Sequence, residues 1–146
     1  MLPESRARKN IDLQLASAGW IVQDREDINL GAGLGVAVRE FSVTTGATDY
    51  LLYVDRRACG VLEAKPEGVT LTGFEEQSAK YLGALKSDIP SWGASLLLEY
   101  ESTGTETRFT DHRDPEPRSR RIGGGPRKLD RVLRESLPLE RPVGRR

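Results

Sequence analysis

Asp49-Tyr50-Leu51-Leu52-Tyr53-Val54 and Cys59-Gly60-Val61-Leu62-Glu63-Ala64-Lys65 decide the fold of this 146-residue chain. Each contains a short apolar run, and Asp55-Arg56-Arg57 between them reads as a turn. Charges normally collect at turns. Here an aspartate opens the first run, while a glutamate and a lysine close the second. Side chains alternate faces along a strand, so Glu63 and Lys65 point one way and Ala64 the other. Pairing the runs as a hairpin brings Asp49 and Glu63 to the same end of adjacent strands. Pro66 has no N–H to donate and ends the ladder.

Upstream, Val36, Val38 and Glu40 alternate with Ala37, Arg39 and Phe41, which predicts a strand over 36–43. Thr44-Thr45-Gly46 is a turn signal. Asp24 to Gly35 is polar and glycine-rich and reads as a loop. Trp20-Ile21-Val22 is a short apolar segment expected to pack beneath the sheet. Residues 4–18 predict a helix with Ala7, Ile11, Leu15 and Ala18 on one stripe, stopped by Gly19. Downstream, Thr72-Gly73 opens a second predicted helix over about 74–86. That length suffices for a crossover to a parallel fourth strand, Ser95 to Tyr100. Thr107 to Thr110 is a candidate fifth. The expected class is α/β: a mixed β-sheet core in the order αβββαβ, flanked by helices.

The formal net charge is zero, but it is unevenly placed. Residues 1–112 carry 11 Lys+Arg against 17 Asp+Glu, and residues 113–146 carry 11 against 5. A domain over 1–112 and a Pro/Gly/Arg-rich tail over 113–146, disordered or weakly helical, are expected. A basic tail suits nucleic acid and equally suits a solvated end. The lone Cys59 excludes an intrachain disulfide and fits a reducing cytosol. With one Cys and one His, a metal site would need oxygen ligands, which favours magnesium or manganese over zinc. The N-terminal residues carry no apolar signal core, and no apolar stretch is long enough to cross a bilayer. A soluble, cytoplasmic protein with no membrane partner is expected.

Two carboxylates and a main-chain carbonyl suit such a hard cation, which typically takes one or two protein carboxylates plus substrate phosphate oxygens. Asp49 and Glu63 can supply the acids, and Ala64 its carbonyl. Lys65 beside them can hold an attacking water or stabilise charge on a phosphate. The same Glu-x-Lys pair also fits a solvated ion pair on a strand face, and Asp49 also fits a turn residue. Gln77 and Tyr81 lie one helical turn apart and can reach a phosphate or base edge. Tyr81 packing on the sheet is the alternative. His112 is isolated and reads as a surface residue. Gly31-Ala32-Gly33-Leu34-Gly35 precedes a strand and lacks Gly-Lys-Ser/Thr, so it is not a nucleotide-binding loop.

Taken in order, these residues resemble the N-terminal nuclease domain of type I restriction enzyme R subunits, in the PD-(D/E)xK superfamily. Asp49 to Asp55, Gly60 to Pro66 and the Gln77-Ser78-Ala79-Lys80-Tyr81 segment, a Gln-x-x-x-Tyr motif, carry the likeness. Ala18-Gly19-Trp20, Val38-Arg39-Glu40-Phe41 and Tyr100-Glu101-Ser102-Thr103-Gly104 support it, as do Thr107-Arg108-Phe109 and Asp114 to Arg120. The resemblance implies a restriction-endonuclease-like fold and magnesium-dependent cleavage of double-stranded DNA. Asp49 and Glu63 would be metal ligands, Lys65 the catalytic lysine, and Gln77 and Tyr81 substrate-side residues. A helix glutamate often assists in this superfamily, and Glu4 is the candidate. Specificity and modification subunits are the implied partners. ATP would serve only a translocase motor, which this chain lacks, so a truncated or stand-alone nuclease module is expected. A non-cleaving remnant that binds DNA or the other subunits is the alternative.

Overall fold

The computed structural model describes residues 3–43, 46–66, 68, 89–92, 98–111, 120–121 and 126–127. Helix α1, Pro3–Ser17, places Ala7, Ile11 and Leu15 in the core, as the apolar stripe predicts. Ala18 falls beyond the helix and is exposed, because the chain turns at Gly19. Gly19 has φ +99°, its N–H reaches the Ala16 carbonyl at 3.1 Å, and the Trp20 N–H reaches that of Leu15 at 2.9 Å. This is a Schellman ending, with Trp20 and Leu15 both in the core below it.

Among the described residues seven strands follow, forming one mixed sheet in sequence order: β1 (Ile21–Asp24), β2 (Gly35–Val43), β3 (Gly46–Val54), β4 (Arg57–Ala64), β5 (Leu98–Ser102), β6 (Thr107–Asp111) and β7 (Arg120–Arg121). The meander β2–β3–β4 is antiparallel, and β5 lies parallel to β4, as the sequence predicts. A parallel neighbour requires a crossover. The segment expected to supply it, including the predicted helix over 74–86, lies outside the described residues. Asp55 and Arg56, at φ 51° and 67°, make the two-residue turn that joins β3 to β4. Positive φ at both positions matches the twist of the flanking strands.

One expectation is corrected. Ile21 and Val22 do not pack beneath the sheet. They belong to β1, an edge strand parallel to β2 with Ile21 opposite Val36. A run this short has no readable period, and its partner is reached only after the loop over 25–34. Trp20 enters the core, and Val22, partly buried, packs against it from the edge strand.

The sheet buries both faces. On one side α1 packs against Tyr50, Leu52, Val54, Leu62 and Leu98. On the other, Val36, Val38, Leu51, Tyr53 and Val61 form a second cluster. Gly60 lets β4 and β5 approach, since a Cβ there would lie 2.4 Å from the Leu98 carbonyl oxygen. Beyond residue 112, Arg120–Arg121 pair with β6, and Pro126 is buried against Gly35 and Trp20.

Candidate metal and nuclease site

Strands β3 and β4 stay paired through Tyr50↔Leu62 and then part. Their side chains fill the opening. The Ala64 N–H donates to Asp49 Oδ2 at 2.8 Å, so this carboxylate takes the place a ladder carbonyl would have held. In a strand the N–H and C=O of one residue face the same neighbour, so the Ala64 carbonyl also faces the Asp49 side. The Lys65 N–H faces the other way and donates to the Ser102 carbonyl of β5 at 2.8 Å.

Glu63 is 8 % exposed and accepts a hydrogen bond from the Thr48 hydroxyl at 3.0 Å. Its carboxyl is pushed up to about 7, first by burial and then by the charge and hydrogen bond of Asp49. Thr48 and Lys65 oppose the rise. Glu101, paired with Glu63 on β5, is also pushed up to about 7 by burial, with Lys65 opposing and Glu99 adding to it. Lys65 therefore acts on both buried acids. Asp49, Glu63, Ala64 and Lys65 converge at one opening, as their spacing predicts.

Three contributors escaped the sequence reading. Arg8 of α1 is the first, with one guanidinium nitrogen on Asp49 Oδ1 and the other on Glu40 Oε1 at 2.8 Å. Glu40 is the second. It sits on β2 at φ 52°, between the pairs Arg39↔Tyr50 and Phe41↔Thr48, and so opposite Asp49. Glu101 is the third. Glu40, Asp49, Glu63 and Glu101 thus fall on one row across β2 to β5, and the row continues through Arg108 to Arg121 on β6 and β7. Arg8 and Asp12 lie one turn apart beside the apolar stripe, a signal that was available. Asp12 accepts from the Tyr50 hydroxyl at 2.6 Å, and burial, then Asp12, drives that phenol upward.

Gln77 and Tyr81 lie outside the described residues, as does His112. Glu4 lies on α1, one turn before Arg8. Among the described residues no group of three or more His, Cys, Asp or Glu side chains is arranged to hold a metal. What the opening offers is a carboxylate pair plus a carbonyl, all oxygen. That set fits magnesium or manganese, which keep most of their waters. A divalent charge would also offset the burial and the Asp49 repulsion that together raise Glu63.

No helix among the described residues is long and apolar enough to cross a membrane. No protein-family model and no curated protein matches the chain. Among solved structures, it is similar to a fragment of a chain assigned as the HsdR subunit of a type I restriction enzyme from Vibrio vulnificus YJ016. The likeness has a TM-score of 0.61 at 20 % identity, covering 91 % of this chain and 25 % of that one. This chain therefore spans about a quarter of its neighbour's length. At that identity the match establishes architecture: the chain has a mixed α/β, restriction-endonuclease-like fold.

Proposed function

We propose that this chain is the magnesium-dependent endonuclease domain of a type I restriction subunit, cleaving phosphodiester bonds of double-stranded DNA. The observation that carries this reading is the meeting of Asp49, Glu63 and Lys65 where β3 and β4 part. Asp49 and Glu63 would hold the cation, with the Ala64 carbonyl as a third oxygen. Manganese would serve in place of magnesium. When bound, the ion supplies Lewis-acid polarisation of the phosphoryl oxygen and acidifies a water.

The chain's own groups do the rest. Lys65 offers a charge beside the scissile phosphate and a donor to hold the attacking water. Burial and Asp49 push the Glu63 carboxyl upward, and a cation held there would favour its charged form. Arg108 continues the row on β6, where the next phosphate of a duplex would find positive charge. The HsdR-like fold supports specificity and modification subunits as partners, and Gln77 and Tyr81 remain candidates for contact with DNA.

The test is plasmid cleavage by the purified chain with magnesium. The chain nicks or cuts supercoiled DNA. Asp49→Asn and Lys65→Ala each lower the rate by roughly 100-fold or more while leaving the fold intact, checked by circular dichroism. Wild-type rates in both variants would remove the assignment. An inert wild type that still binds DNA or its partner subunits would instead favour a non-cleaving binding module.

A further inference from the structure

We propose that Arg8 is a built-in competitor for the cation at Asp49, holding the acid closed until a divalent ion displaces it. The inference rests on the metal-site reading above and adds a residue to it. Both oxygens of Asp49 are engaged. Oδ2 accepts the Ala64 N–H, while Oδ1 is taken by the Arg8 guanidinium. A backbone N–H so placed is fixed by the sheet, whereas Arg8 is a long side chain that can leave. Oδ1 is therefore the atom to be freed, and Arg8 is what must move.

Arg8 also has somewhere to go. Its other nitrogen is on Glu40, which is largely exposed and turned by its left-handed backbone. Beyond it opens a polar cleft of about 430 Å³, lined among others by Ser5, Arg8, Lys9, Asp12, Arg39 and Glu40. Glu40 can keep the guanidinium after Asp49 releases it, so displacement does not strand a charge in the core. Arg8 then stands as a cation at the rim of the site, on the path of an incoming phosphate. The metal-free protein is thus charge-compensated without a metal, at the cost of a weaker affinity for one.

The experiment is calorimetric titration of the metal-free chain with manganese, without DNA. Arg8→Met keeps the length of the stem and removes the charge. Its manganese dissociation constant falls by about three- to ten-fold relative to wild type, the size expected for loss of a partly exposed competing ion pair. Arg8→Lys keeps the charge but loses the fork that spans two acids, and its affinity lies between. Arg39→Met lines the same cleft, bound to Asp12 and Asp24 rather than Asp49, and leaves the affinity unchanged. Unchanged or weaker manganese binding in both Arg8 variants overturns the inference. Asp49→Asn separates the two failures. If wild type and Arg8→Met both bind manganese regardless of Asp49, or not at all, the metal site itself is wrong and Arg8 falls with it.

Discussion

Glu63 is the residue on which pH acts most directly. Its folded carboxyl lies near 7, against about 4.5 when unperturbed, because burial and then Asp49 disfavour its charge. The folded state thus binds a proton that the unfolded state has released. Stability from this group is full below about 4.5 and is lost as pH rises through about 7. Glu101 moves in the same direction and reinforces the trend. In chelator, urea midpoints of the wild type fall between pH 5 and pH 8. Glu63→Gln, which stays neutral and can still accept from Thr48, loses about half of that fall. It is more stable than wild type at pH 8, by on the order of 1–3 kcal/mol. A constant gap between the two proteins from pH 5 to pH 8 would show that Glu63 is not held protonated. At this scale the site was largely legible, because Asp49, Glu63 and Lys65 stand out as charges bordering apolar runs. Arg8 was not, because a helix read for its apolar stripe hides the polar residue one position away. Glu40 was not either, since nothing in Val38-Arg39-Glu40-Phe41 signals a left-handed strand residue.

Among the elements, the β4–β5 pair is closely constrained. It is the parallel junction that sets Glu101 beside Glu63, and Gly60 lies at its start, opposite Leu98. A methyl group at Gly60 would meet the Leu98 carbonyl oxygen at 2.4 Å and its Cβ at 2.9 Å, backbone and side chain together. Gly60→Ala is therefore expected to cost about 1–3 kcal/mol, as overpacking does, and to push the two strands apart. Amide exchange should speed up at Val61 and Leu62 and stay unchanged in α1. Unaltered exchange in β4 would mean the strands have slack that the contact distances deny. The meander was readable from alternation and turn residues because its pairings are local. The edge strand β1 was not, because its four residues alternate too briefly and its parallel register is set by residues across the loop.

Over the whole molecule, a sheet in sequence order reaches past the boundary that composition suggests. Arg120–Arg121 extend it by one strand, and Pro126 lies where a Cβ on Gly35 would come within 2.4 Å of its ring. Trp20, 5 % exposed, packs in the same place. A chain ended after Asp111 would uncover this corner. It is expected to lose about 1–2 kcal/mol, the worth of one buried proline and part of an indole, and to shift tryptophan emission to the red. An unshifted spectrum would show that Pro126 does not shield Trp20. The composition break at 112 reports where apolar residues thin out, and a two-residue strand and one proline are too sparse to register in it.

Three consecutive residues of β3 serve three different places. Thr48 donates to Glu63 on β4, Asp49 fills the gap in the ladder, and Tyr50 reaches Asp12 on α1. A slip of β3 by a single residue would send each of them to the wrong face. The alignment of this strand consequently works as a proofreading step. A misthreaded sheet could bury nearly as much apolar surface, yet it would bring none of these three contacts together.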